Sequence, residues 1–308
     1  MSKSIKRIAV LGAGGLGAVY ANIFHRAGIE TRLVASGERY KRLHRDGVFI
    51  NDVQYRIPVH NTADPGTGFT ADLVIVATKY HHLESALPEL SSLVDRETVF
   101  ISLLNGLTSE EIIGRMYGPD KVLLSIAMNL DARREDNRIY HSRPPLLIFG
   151  EAGNRKPGPA VHAVQEVLTT AGISYEVPQD MKRMVWWKFM VNAGMNQSSA
   201  VTGATYGRYK TEPELRWLKE TLMREVIDVG RAEGVDLRDE DATSFYKTLD
   251  IIAEDGKTSM LQDIEASRKT EIDMFAPVII ELGEKHGIAT PANRTILSVI
   301  LSLENKYL

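Results

Sequence analysis

Lys188, Asn192 and Asn196 are the residues whose types and spacing first suggest chemistry. They interrupt an otherwise apolar run, Val185-Trp186-Trp187-Lys188-Phe189-Met190-Val191-Asn192-Ala193-Gly194-Met195-Asn196. On a helix a step of four advances about 40° past a full turn, so the three polar groups share one stripe. A buried ammonium needs partners, because leaving it unpaired is costly. The stripe either faces water or lines a cleft. The rest of the circumference is too apolar for a surface helix, which favours a cleft where one cation and two carboxamides meet a polar substrate.

A second set of residues points to a nucleotide. Arg7-Ile8-Ala9-Val10-Leu11 reads as a short buried strand, followed by Gly12-Ala13-Gly14-Gly15-Leu16-Gly17 and a helix-forming stretch from Ala18 to Ala27. The glycines have separate tasks: a tight turn, close approach of backbone to a pyrophosphate, and close packing of helix on strand. The helix N-terminus then faces the anion. Strand before and helix after give this loop the context that a dinucleotide site requires. Thr31 to Ala35 reads as the second strand. An NAD site usually places an acid at its end; here stand Ser36, Gly37, Glu38 and Arg39, then Lys41 and Arg42. A hydroxyl beside cations suits a 2′-phosphate, so NADP (as NADPH) is the expected cofactor. Asp72 to Ala77 and Val99 to Leu104 are continuous apolar runs of the kind buried in parallel sheets. They end in Thr78-Lys79 and Asn105-Gly106. Ligands of such sheets lie beyond the strands' carboxyl ends, so Lys79 and Asn105 are candidate ligand contacts.

The elements that must hold these residues divide the chain in two. Strands alternate with helices up to Pro178, which predicts an α/β fold: an N-terminal Rossmann-type, doubly wound parallel sheet over residues 1–178. Ile139 to His141 and Leu146 to Phe149 read as a hairpin, and Ile173 to Val177 as a closing strand. Residues 179–308 predict an all-α C-terminal domain for substrate and catalysis. Its helices are expected over Glu214 to Glu233, Glu240 to Glu254 and Ser267 to His286, with glycine stops at Gly234 and Gly287. At 308 residues, 44% hydrophobic and 25% charged, the chain has the size of two soluble domains. A net charge of −3 gives no reason to expect nucleic acid. The absence of cysteine excludes disulfides and thiol chemistry. No metal site is expected. No apolar segment reaches the roughly 20 residues of a membrane span, and Met1-Ser2-Lys3-Ser4 lacks a signal-peptide pattern, so a cytoplasmic protein is expected. The helical half offers a surface for a homodimer.

Thr258-Ser259-Met260-Leu261-Gln262-Asp263 and Glu271 complete the picture. By spacing alone Ser259 could be a helix cap and Glu271 a surface carboxylate. Together with the glycine loop, Thr78-Lys79, Asn105-Gly106 and the Lys188/Asn192/Asn196 stripe, however, the chain resembles the ketopantoate reductase family over nearly its whole length. The resemblance implies NADPH-dependent reduction of 2-dehydropantoate to pantoate, a step toward pantothenate. It implies Lys188 as proton donor, Asn192, Asn196 and Ser259 as holders of the keto acid, and Lys79, Asn105 and Glu271 lining cofactor and substrate. Asn105 would contact both, and Glu271 would act beside Lys188 in catalysis. The family often has arginine where Ser36 stands. The segment from Ala127 to Arg138 matches the family poorly, which leaves open a paralogue acting on another 2-keto acid. A nucleotide-binding sensor would have no need of the stripe.

Overall fold

The computed structural model describes residues 4–64, 68–129, 132–135, 138–153, 156–250 and 252–308. The chain forms two compact units, Met1–Met181 and Lys182–Leu308. The division falls slightly past residue 178, at the first residue of the long helix that begins at Met181.

The first unit opens with β1 (Arg7–Leu11), α1 (Gly15–Arg26), β2 (Glu30–Ala35) and α2 (Gly37–Asp46). Then come β3 (Val48–Ile50), β4 (Val53–Tyr55), β5 (Val59–Asn61), β6 (Leu73–Val76) and α3 (Leu83–Ala86). They are followed by β7 (Val99–Ser102), α4 (Ser109–Tyr117), β8 (Val122–Met128), β9 (Arg133–Glu135) and β10 (Arg138–Tyr140). β11 (Leu146–Gly150), α5 (Pro159–Ala171) and β12 (Ser174–Glu176) close the unit. The main sheet has eight strands in the order β12-β11-β8-β7-β6-β1-β2-β5. All neighbours are parallel except β8 and β11. β1 and β6 are buried along nearly their whole length, which is what the unbroken apolar runs require. The chain builds outward from β1 through β2 to β5, then returns to place β6 on β1's other side. That reversal leaves a crevice at the carboxyl ends of β1 and β6, where ligands of such sheets bind.

A smaller sheet, β4-β3-β10-β9, accompanies the first. The expected hairpin between Ile139–His141 and Leu146–Phe149 does not form. β10 pairs with β3 and β9, while β11 runs antiparallel on β8. Leu147, Ile148 and Phe149 are all buried, so this run belongs inside the large sheet rather than in a two-stranded ribbon with one wet face.

The second unit contains helices and no strand among the described residues. These are α6 (Met181–Thr202), α7 (Arg208–Thr211), α8 (Pro213–Ala232), α9 (Asp239–Ser244), α10 (Tyr246–Leu249), α11 (Ser259–Glu265), α12 (Ala276–His286) and α13 (Pro291–Glu304). α6 is the axis: every residue from Phe189 to Ala200 is buried. It packs closely on α8. A Cβ at Gly194 would lie 2.5 Å from Met223 Cγ and 3.0 Å from the Lys219 carbonyl oxygen, and one at Gly230 would lie 3.0 Å from the Trp186 ring. Two of the expected helices break. Residues 240–254 split into α9 and α10, and 267–275 leave the helix altogether. Ser267 has φ 52°, and the Thr270 N–H donates to Glu304 Oε1 at 2.6 Å instead of to a carbonyl one turn back. No helix among the described residues is long and apolar enough to cross a membrane.

Candidate functional site

In the first unit the three glycine tasks separate cleanly. Gly12 has φ 106°, and a Cβ there would lie 2.5 Å from the Ala77 carbonyl oxygen. The turns after β1 and β6 therefore touch at the reversal of strand order. A Cβ on Gly17 would lie 1.9 Å from the Gly12 oxygen, so this position also admits only glycine. Gly14 has open space: its Cβ would meet nothing nearer than 3.9 Å. α1 starts there with no side-chain cap and no acid in its first turn, leaving its first N–H groups for an anion. Ala13 is buried and Gly15 and Leu16 half-buried. Thr78 Oγ1, next along from Ala77, is buried with no hydrogen-bond partner among the described residues. Lys79 is exposed after β6, and Asn105 is half-buried after β7 beside Gly106, whose φ is 95°. An uncapped helix end, backbone bare of side chains and an orphaned hydroxyl fit a dinucleotide.

Ala132 lies against this cradle, its Cβ 3.2 Å from where a Gly15 Cβ would be. The segment that resembles the family least thus borders the glycine turn. At the end of β2, Ser36 precedes α2 and donates to Glu89 Oε1 at 3.4 Å. Glu38 is taken up by Lys41 at 2.6 Å. Partial desolvation draws Arg39 below the ordinary guanidinium range, and the nearby Glu89 carboxylate acts the other way. Nothing in the sequence pointed to Glu89, which lies far from Ser36 along the chain.

Beneath the Asn105 turn sits a polar cluster. Ser102 and Ser109 hydroxyls are 2.9 Å apart, and Ser109 donates to Glu110 Oε2 at 2.7 Å. The Leu104 N–H donates to Ser102 Oγ at 3.2 Å, and Ser125 donates to the Ser102 carbonyl. Burial pushes the Glu110 carboxyl up to about 7, against the hydrogen bonds it accepts. The cluster ties both ends of the turn carrying Asn105.

In the second unit α6 sorts its polar groups. Gln197 donates to the Ala193 carbonyl at 2.7 Å and to Asn293 Oδ1 at 3.0 Å. Ser198 shares a 2.6 Å bond with Tyr209, and Ser199 a 2.9 Å bond with Thr258. These bonds fix α6 against α13, α7 and α11. The stripe is different. Asn192 and Asn196 are each 7% exposed, and Asn196 makes no side-chain hydrogen bond among the described residues. Lys188 is half-buried, with neither ion pair nor hydrogen bond among them. Desolvation by burial lowers its pKa.

Thr258, not Ser259, caps α11: its oxygen accepts the Leu261 N–H at 3.2 Å. Ser259 is the first helical residue and is exposed. Because Thr258 is bonded to Ser199, Ser259 stands one residue from a contact with α6. Glu271 is half-buried at the start of the 3-10 turn Ile272–Met274, in the loop anchored by Glu304.

Residues 8–154 match the family model described as ketopantoate reductase PanE/ApbA, and residues 180–304 match the model of its C-terminal part. The chain belongs to the ketopantoate reductase family. With it the chain joins the oxidoreductases. A 2-dehydropantoate 2-reductase of Archaeoglobus fulgidus is 28% identical, over 98% of this chain and 99% of its own. One from Streptococcus pyogenes serotype M3 is 30% identical over 76% of each. The fold of this family member is shared with a D-mandelate dehydrogenase solved with NADH and anilino(oxo)acetate. The TM-score is 0.89 at 23% identity, over 98% of this chain and 99% of that one.

Proposed function

We propose that this chain reduces 2-dehydropantoate to pantoate with NADPH, using Lys188 as the proton donor. The observation that carries the reading is the contrast along α6: Gln197, Ser198 and Ser199 are spent on packing, while Lys188 and Asn196 have no side-chain hydrogen bond or ion pair among the described residues. The names of the relatives supply the substrate. Gly12 to Gly17 would hold the pyrophosphate, with Lys79 and Asn105 beyond β6 and β7 at the nicotinamide side. A bound dihydronicotinamide supplies hydride to the keto carbon. As negative charge grows on the keto oxygen, a cation aimed at it stabilises the transition state more than the ground state. Lys188 then passes its proton to that oxygen, giving the alcohol, and is reprotonated from solvent. Asn192, Asn196 and Ser259 offer neutral hydrogen bonds that orient the acid without competing for the charge. Glu271 would hold the polar end of substrate or cofactor.

A second reading is reduction of another 2-keto acid. It is favoured by the departure of residues 127–138 from the family pattern and by the fold shared with a D-mandelate dehydrogenase. Following nicotinamide absorbance with ketopantoate, phenylglyoxylate and short aliphatic 2-keto acids, each with NADPH and NADH, separates the two. Ketopantoate with NADPH should give the highest kcat/KM. A tenfold higher value for an aryl substrate would replace the first reading by the second.

A further inference from the structure

We infer that Glu89 reads the 2′ position of the adenosine ribose, supplying from a separate loop the acid that β2 lacks and weakening discrimination against NADH. The inference rests on the proposed nucleotide site in the first unit. β2 lies beside β1, and the residues just after it face the adenosine ribose in such sheets. Ser36 occupies that place, and its hydroxyl donates to Glu89 Oε1 at 3.4 Å. Glu89 comes from the short 3-10 turn Leu87–Leu90, far along the chain between β6 and β7. That turn is firmly seated. Leu87 and Leu90 are fully buried, and Tyr117 donates to the Leu87 carbonyl at 2.6 Å. Glu89 itself stays half-exposed.

The neighbouring charges give the carboxylate its effect. Glu38, the acid nearest in sequence, is held by Lys41, and the Glu89 carboxylate favours the charged form of Arg39 against its desolvation. A ribose 2′-hydroxyl can donate to a carboxylate, a charge-assisted bond. A 2′-phosphate is doubly charged at neutral pH, would share Arg39 with Glu89, and would be repelled by it. Arg39 and Glu89 therefore pull the choice in opposite directions.

The test measures affinities of the full-length protein for 2′,5′-ADP and 5′-AMP by calorimetry, then for NADPH and NADH. The two fragments differ at the 2′ position and lack the nicotinamide, so the readout is independent of turnover. Glu89→Gln should raise the 2′,5′-ADP to 5′-AMP affinity ratio by about tenfold or more, and Glu89→Ala should move it the same way. Arg39→Ala should lower it. A ratio unchanged within about twofold in both Glu89 variants, with melting temperature preserved, overturns the inference and leaves the nucleotide site standing. A parent protein that binds none of the four nucleotides overturns both.

Discussion

At Lys188 burial lowers the pKa of the ammonium. The sign of the consequence follows. A donor must be protonated when substrate arrives, and the folded pKa lies below the ordinary lysine value near 10.4. Reduction by the parent enzyme should therefore fall as pH rises through that lowered value, giving an alkaline limb in kcat. Lys188→Ala should abolish the limb along with most of the rate. A limb that persists unchanged in the variant would assign it to another group. Much at this scale was legible in the sequence. Spacing of four put the cation and carboxamides on one stripe, and three glycines with distinct spacing marked the cradle. Thr258 was not legible as the cap, since either hydroxyl of Thr258-Ser259 could begin a helix. Glu89 was hidden because its partner Ser36 is reached only through tertiary folding.

Among elements, the unbroken apolar strands announced themselves, whereas pairing did not. β11 looks like the partner of β10 because it follows closely, yet its buried run is satisfied only beside β8. Helices over 240–254 and 267–286 were overextended for a similar reason: periodicity ignores where backbone donors go, and Glu304 takes the Thr270 N–H. The cluster joining β7, β8 and α4 makes a prediction at this scale. The Glu110 carboxyl has an ordinary value of 4.5 and is raised to about 7 in the fold. Between those values the folded chain keeps a proton that the unfolded chain has lost. Stability contributed by the neutral carboxyl is thus full below the lower value, falls as pH rises through the window, and is flat above it. The shift corresponds to about 3 kcal/mol. Glu110→Gln mimics the protonated form at every pH. In urea unfolding the variant should gain on the parent by roughly that amount between pH 4.5 and pH 8. An equal difference at both pH values would show that Glu110 does not titrate in this window.

Across the whole molecule the chain forms two compact units, and the proposed nucleotide contacts belong to the first while the proposed proton donor belongs to the second. The two matched family segments, residues 8–154 and 180–304, fall largely one in each unit, and the sequence places its nucleotide signals and its polar stripe in different halves. If the division of labour is correct, substitutions in the two units should have separable effects. Gly12→Ala puts a methyl 2.5 Å from the Ala77 oxygen in a backbone conformation that alanine rarely adopts. It must shift the turn after β1, so NADPH affinity should drop at least about tenfold, with a lower thermal midpoint for the nucleotide-free protein. Saturating NADPH at about 100 times Kd should stabilise the parent by about 2.7 kcal/mol, and far less of that should survive in the variant. Lys188→Ala should do the reverse. NADPH affinity and its thermal stabilisation should stay within about twofold of the parent, while kcat falls roughly 10²-fold and KM changes less. Calorimetric NADPH binding, thermal melts with and without NADPH, and steady-state kinetics on both variants provide the comparison. Parallel loss of nucleotide binding and turnover in Lys188→Ala would mean that the lysine serves the cofactor rather than the keto oxygen.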